Sequence, residues 1–469
     1  EVAILYVGGP MILGRRLPAA ILAKVGYVAM LVGAIVINVS VFFGTAPDNA
    51  PLLTAYYPLQ SPSWFYAAVV LFIIGAVIAA LPFFLSLWYE RRENPNSSLP
   101  LIAFGAFITA IIAVEALVGG LITFAAALLW RIDIIGTLDA AWYRQMYWTI
   151  GHGSQQINLA AMVTVWYFLT HVVGGAEVVS EKVSRTAFVL YLFFINLGAA
   201  HHLLSDPAVT AGWRIFNASY AFYGAAFASM IHAFAIPAGL EAGRRQKGLG
   251  GGLLGWLTGA PWRNPIFSST IFSIVLFGFV GGITGVIMGQ LQINMTWHNS
   301  LATVGHFHGT VALGTTITFM GLVYFVIRTM FQRQLGMGVA TLMLLYMGLL
   351  FSVPRRTVQV ITNIPGTDFS LAGAVPLMHL FGVFAIIAIL AGVAFLIVAV
   401  ASLLVGDRVT GPEDNADLRV SGARADGGKP VHAYEMRGTF LICLLFLAVF
   451  VAAYIANWFL LSRLWQVGL

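Results

Sequence analysis

The sequence predicts an all-α, polytopic membrane protein, and three observations carry that prediction. Hydrophobic residues fill 59% of the 469 positions and charged residues only 9%, where a soluble globular domain carries about a quarter charged residues. So little charge cannot cover a water-facing surface of this size, which leaves the bilayer as the solvent. Apolar stretches of about 20 residues, the length that crosses a hydrocarbon core, recur along the whole chain. Lysine and arginine sort between alternate connections as they do in membrane proteins.

The elements follow in order. After Glu1 the run VAILYVGGPMIL lacks the basic region and cleavage site of a signal peptide. It reads as the last turns of a helix that begins outside this sequence. About eleven full spans are expected after it by the length rule: 23–44, 64–88, 101–129, 143–172, 185–204, 214–240, 266–290, 299–328, 337–352, 371–404 and 438–461. The whole chain, 1–469, is expected to form a single membrane-embedded domain. Its one long polar connection, 405–437, is rich in glycine and aspartate and reads as a solvated cytoplasmic loop.

Of the 24 lysines and arginines, only Arg131, Arg144, Arg214, Arg355, Arg356 and Arg463 fall on one side. The other side, which begins with Arg15, Arg16 and Lys24, is therefore the cytoplasmic one. The net charge of +6 is mostly this asymmetry and implies no nucleic-acid partner. The single cysteine, Cys443, excludes disulfides, zinc knuckles and covalently attached c-type heme within the chain.

Polar groups at membrane depth are costly and mark function. Six of the ten histidines fall in three short clusters. In GHGSQQIN, 151–158, His152 and Gln156 are four apart and share one helix face. A polar face bonded to neighbouring helices is the plainer alternative. In NLGAAHHLLSDP, 196–207, His201 and His202 point about 100° apart on a helix, so one metal serves both only from between them. Interfacial histidines are the alternative there. In HNSLATVGHFHGTVA, 298–312, His306 and His308 point about 200° apart, which suits two separate cofactors rather than one metal. Imidazole ligates copper, iron and zinc, and a proximal histidine is ordinary heme chemistry.

With WTIGH at 148–152, GAAHHLLSDP at 198–207, HNSLATVGHFH at 298–308 and VPRR at 353–356, the chain resembles the catalytic subunit (subunit I) of the heme-copper oxidase superfamily. It is most similar to the B-type branch. The resemblance implies a bundle of about a dozen helices around two hemes, in a prokaryotic inner membrane. It implies that His152, His201 and His202 bind a non-heme iron or copper. His306 is then the proximal ligand of a high-spin heme and His308 an axial ligand of a low-spin heme, expected to be of b type. Arg355 and Arg356 pair with heme propionates, a match of forked guanidinium to carboxylate, and His298 lies near a propionate. The low-spin heme's second histidine falls upstream of Glu1 by the family pattern, or comes from another chain. An electron-donating partner subunit is implied, fed by cytochrome c, a cupredoxin or quinol.

One departure bears on the reaction. B-type oxidases carry a tyrosine four residues after the first metal-binding histidine, and this chain has Gln156. That tyrosine supplies one of the four electrons that reduce O2 to water, which glutamine cannot do. The positions before His201 where another branch places its tyrosine hold Phe193, Phe194 and Ile195, with Tyr191 a turn further back; Tyr147 and Tyr167 flank the first cluster. Reduction of 2 NO to N2O and water takes only two electrons, which two reduced metals supply, and Gln156 offers an acceptor and a donor to the N–O group. Known nitric oxide reductases of the superfamily also replace the tyrosine. The sequence reading therefore favours nitric oxide reductase, with a terminal oxygen reductase as the alternative and a non-catalytic heme-binding subunit or sensor as a third reading. Glu115 is a lone acid in an apolar helix, and Thr164 and Tyr167 follow Gln156 on one helix; each reads either as a proton-path member or as a structural group. Asn294 stands where B-type oxidases have an aspartate near a propionate, and an amide cannot carry a proton. Turnover in vesicles is therefore expected without net proton ejection, measured as the pH change of the outer medium; clear ejection would refute this.

Overall fold

The computed structural model describes residues 1–43, 51, 54–55, 57–58, 60–195, 199–207, 209–298, 301–334, 375–409 and 436–464. Among these, eight helices are long and apolar enough to cross a membrane. They are Ala20–Phe43, Ser63–Glu93, Leu101–Arg131, Ala140–Gly174, Ala211–Gln246, Pro265–Met288, Gly305–Thr329 and Arg437–Ala456. A further helix, Val375–Val405, covers most of the expected span at 371–404. The expected span at 337–352 and most of the loop at 405–437 lie outside the described residues.

The chain divides into two compact units. The first comprises Glu1–Thr164 and Arg185–Ala225, the second Val165–Ser184 and Ala226–Leu469. In the first, α1 (Val2–Tyr6) runs on as a π-helical turn, Val7–Met11, that contains Pro10. The hydroxyl of Tyr6 donates to the Ala79 carbonyl at 2.7 Å. The helices α2 (Ala20–Phe43) and α3 (Ser63–Glu93) lie backbone to backbone. A methyl group at Gly26 would stand 2.6 Å from the Gly75 carbonyl, and one at Gly33 2.8 Å from that of Ala68. Lipid is as apolar as leucine, so small residues that allow close van der Waals approach hold such pairs together.

Next in order are α4 (Leu101–Arg131), α5 (Ala140–Gly151) and α6 (Gly153–Leu169). Glycines again set the approach. Gly119 and Gly120 of α4 admit Thr149 and Ile150 of α5, and Gly153 packs on Ala116. Hydroxyls inside these helices satisfy themselves on the preceding turn: Thr109 donates to Gly105, Thr123 to Gly119 and Thr164 to Ala160, the cheapest solution where no water is present. Charged groups collect at the two ends of α3. Arg15 bonds Glu90 and Glu93 at its C-terminal end, and just before its start the Ser61 carbonyl accepts from Arg131 at 2.8 Å.

The stretch 185–204 departs from the expected continuous span. It is α-helical in α7 (Glu181–Leu190), π-helical over Tyr191–Ile195 and a 3-10 turn over Ala199–Leu203. Such departures from the α ladder concentrate at functional positions. Beyond it lies α8 (Ala211–Phe216), where Thr210 caps by accepting from the Trp213 amide.

In the second unit, α9 (Phe222–Gln246) continues past Ala225, and Gly239 and Gly243 bring its backbone against Gly175 and Glu177. Two further helices, α10 (Pro265–Ser273) and α11 (Gly282–Met288), flank a π-helical segment, Ile274–Gly281. They are followed by α12 (Leu291–Trp297), α13 (Leu301–Phe307) and, after a π segment at His308–Thr315, α14 (Thr316–Thr329). The last two helices are α15 (Val375–Val405) and α16 (Arg437–Leu464). Trp166 Nε1 donates to Ser273 Oγ and Thr318 Oγ1, both at 3.0 Å, joining three elements in the core.

Glu241 is fully buried, and its carboxylate accepts from the amides of Gly438 and Thr439 and from the Thr439 hydroxyl. Arg245 donates to it as well. An acid on α9 thus satisfies the orphan amides at the start of α16, where the helix dipole also favours negative charge. Glu241→Ala is expected to cost on the order of 3 kcal/mol, the usual loss when one partner of a buried charged network is removed. Unfolding in mixed micelles measures it, and faster hydrogen exchange at 438 and 439 locates it. Unchanged exchange there would refute the cap.

Candidate metal and heme site

Helix α5 is started by Asp139, whose carboxylate accepts from the Trp142 amide at 2.6 Å. It ends at Gly151, and His152 occupies the single turn residue before α6. The hydrogen-bond ladder runs through the break. The His152 amide donates to Trp148, and its carbonyl accepts from Gln155 and Gln156. His152 is therefore placed by helix on both sides.

The structure brings His152, His201 and His202 together. One ring nitrogen from each lies within 4.8 Å of the other two, and all three are half-buried. His152 Nδ1 stands 2.7 Å from His202 Nε2. The ring centroids are 4.2 Å apart for His152–His201, 4.8 Å for His152–His202 and 4.5 Å for His201–His202. The 3-10 turn lets adjacent histidines close on one point, which a continuous α-helix does not favour. Three imidazoles in this spacing fit a divalent transition metal such as copper or iron.

Two features that the sequence reading did not single out belong here. The Trp148 indole stacks on the His202 ring with centroids 3.9 Å apart and planes 3° from parallel. Its Nε1–H is buried and has no acceptor among the described residues, so a polar guest beside the histidines fits the site. Arg144 bonds Asp206, four residues past His202, at 2.8 Å. The repeat of four from Arg144 through Trp148 to His152 is the sequence signal that marks this face.

Gln156 lies one turn beyond His152 and is only 8% exposed. Tyr147 faces away into an aromatic row: its ring meets Trp148 at 5.5 Å, Phe124 at 6.0 Å and Tyr143 at 6.3 Å. Tyr191 is buried against Phe188, whereas Phe193 is exposed. Glu115 is exposed in this fold; it takes part in an interaction within the chain.

The remaining candidates lie in the second unit. Thr284 Oγ1 lies 2.9 Å from His306 Nδ1 and donates its own proton to the Val280 carbonyl at 2.8 Å. The contact orients the His306 ring through Nδ1. The orienting bond to the other ring nitrogen is what ligating histidines ordinarily possess. His308 opens the π segment, its ring edge-on to Phe307 at 5.6 Å. His298 terminates α12, its amide donating to Asn294. Asn294 donates to the Met288 carbonyl, and its Oδ1 is buried without a partner among the described residues. Arg355 and Arg356 lie outside the described residues. Tyr167 bonds Ser184 Oγ at 3.0 Å and His232 Nδ1 at 3.1 Å; His232 was not flagged by any sequence pattern.

Residues 2–390 match the family described as cytochrome c and quinol oxidase polypeptide I. The chain belongs to that family. Among its relatives is cytochrome c oxidase subunit 1 of Thermus thermophilus, 28% identical over 377 residues that cover 76% of this chain and 65% of that protein. Another is a probable quinol oxidase subunit 1 of Staphylococcus epidermidis, 24% identical over 67% of this chain and 47% of its own length. This chain thus spans about two thirds and about half of those two proteins. In fold it is similar to a chain of a heme-copper terminal oxidase dimer solved by cryo-EM, with a TM-score of 0.75 and 22% identity, over 97% of this chain and 80% of that one. The all-helical subunit I bundle expected from sequence is the fold observed.

Thr284→Val is expected to cost about 1–3 kcal/mol, because it removes the part-buried hydrogen bond to His306 Nδ1. Thr284→Ser keeps the hydroxyl and should lose less than half as much in the same unfolding titration. Equal losses would refute the hydrogen bond as the reason.

Proposed function

We propose that this chain is the catalytic subunit of a membrane-bound terminal reductase that passes electrons to a diatomic gas, with O2 as the substrate on the first reading. Family membership and the oxidase names of both relatives support O2. The observation that carries the gas site itself is the convergence of three imidazoles from two separate segments at half-buried depth. In this reading His152, His201 and His202 hold a non-heme copper or iron. His306 holds a high-spin heme and His308 a low-spin heme, while Arg355, Arg356 and His298 meet the propionates. When bound, these groups supply the electrons; a partner subunit fed by cytochrome c, a cupredoxin or quinol reloads them. The protein sits in a prokaryotic cytoplasmic membrane.

The chain's own residues orient and shield. Thr284 fixes the His306 ring, Trp148 lies flat on His202, and the close contacts of Gly119, Gly120 and Gly153 exclude lipid and water from behind α5. The O2 reading needs an oxidisable side chain beside the site, since O2 takes four electrons and four protons to give two waters. Trp148, stacked on His202 with Tyr147 edge-on behind it, is such a pair.

A specific observation favours a second reading. Gln156 is a buried amide one turn from His152, where the B-type branch that the chain resembles has a tyrosine. Two NO, two electrons and two protons give N2O and water with no electron from a side chain. The amide can donate to an N–O oxygen and accept from a proton-bearing one. On that reading the protein is a nitric oxide reductase with a role in denitrification.

Turnover of the purified complex with a reduced donor separates the two. Rapid O2 consumption to water with slow N2O release supports the oxidase; N2O formation with little O2 uptake supports the reductase. On the second reading Gln156→Ala lowers NO turnover at least tenfold, the scale for loss of one oriented polar group at a reacting centre, with heme content intact. Unchanged NO turnover in that variant would remove Gln156 from the mechanism.

A further inference from the structure

Arg144 and Trp148 on α5 and His152 at its C-cap are spaced by four, so they form one stripe on one helix face, about 12 Å long. Each meets the segment that carries the other two histidines. His152 Nδ1 reaches His202 Nε2 at 2.7 Å, Trp148 stacks on His202, and Arg144 Nη2 bonds Asp206 Oδ2 at 2.8 Å. The segment has little regular structure of its own to fix it, being a 3-10 turn that follows a π-helical stretch. Its exit is pinned at Asp206 from several directions. The Asp206 amide donates back to Leu203, its carboxylate takes Arg144, and its carbonyl accepts from Arg214. Arg144 is steadied in turn by the Ala55 carbonyl at 3.4 Å. The pair is largely withdrawn from solvent, with side chains 13% and 18% exposed, so it is screened less than a surface ion pair.

We propose that Arg144 and Asp206 form a positioning clasp for the three-histidine site: the ion pair docks the His201–His202 turn on the face of α5 that presents His152. This rests on the reading of those histidines as a metal site. A metal centre tolerates ligand displacements of only about half an ångström, so an irregular ligand-bearing turn needs an outside anchor. Arg144 lies eight residues before His152, and Asp206 four residues after His202. Both act through the backbone that carries them.

The test uses the full, heme-loaded protein. The non-heme site is stripped with a chelator and titrated with Cu2+, with bound copper read by its EPR hyperfine pattern and heme by its optical spectrum. The wild type is expected to take up one Cu2+ per chain with a multi-nitrogen pattern, lost in His202→Ala. Asp206→Asn and Arg144→Gln are expected to weaken Cu2+ binding about 10- to 100-fold, the range for groups that orient metal ligands, and to alter the hyperfine pattern, with the heme spectrum unchanged. Arg15→Gln removes the two ion pairs to Glu90 and Glu93 at the C-terminal end of α3, in the same unit, and should leave Cu2+ affinity as it is. Should Asp206→Asn lose its hemes, Arg144→Lys decides instead, since it keeps the charge and loses only the fork. Weakened copper binding in it supports the clasp, and wild-type binding overturns it. Wild-type affinity and EPR pattern in Asp206→Asn and Arg144→Gln overturn the clasp and leave the metal site standing. No His202-dependent copper in the wild type overturns the metal reading and the clasp together.

Discussion

Hydrocarbon offers no hydrogen bonds, so backbone amides, hydroxyls and ionisable groups within the spans are driven to find partners inside the protein. Most of the structure follows from that demand. Long helices answer it for the backbone, and threonine hydroxyls turn back onto the preceding turn. Glu241 is spent on the amides that open α16 and on Arg245. An irregular turn lacks the regular ladder that satisfies a helix. One lies at Ala199–Leu203 and carries two histidines, and such a departure persists only where the surroundings hold it.

The site is built from rigid and irregular parts in combination. Helices α4 and α5 pack through glycine so closely that α5 has little freedom to roll, and His152 is held by ladder bonds on both sides. The turn carrying His201 and His202 is the opposite case: it takes its position from contacts with α5. The same logic repeats at His306 in a smaller form. Thr284 Oγ1 lies 2.9 Å from its Nδ1 and so orients the ring.

Gln156 shows how one position divides two chemistries that share a fold. The family description and the names of the two relatives are those of oxidases. In the proposed function the electron count turns on residue 156. A phenol can be oxidised beside the metal and an amide cannot, so the O2 reading must draw on the Trp148–Tyr147 pair, whereas the NO reading needs no such donor. Fold and family therefore constrain the ligand set more strongly than they constrain the substrate.

The sequence by itself determined the membrane class, nearly all the spans and the three histidine clusters, because hydropathy and polar residues at depth are local quantities counted along the chain. It also exposed Gln156, which needed only a spacing of four from His152. It overextended the helix at 185–204, since the pattern that fills a span is the same for an α-helix as for one that loosens and tightens near its end. The partners Asp206 for Arg144, His202 for Trp148, Thr284 for His306 and His232 for Tyr167 are 62, 54, 22 and 65 residues apart in sequence. Nothing periodic links such pairs. They became visible only once the helices had packed, because the contact energy that joins them belongs to the tertiary arrangement and leaves no mark in either segment alone.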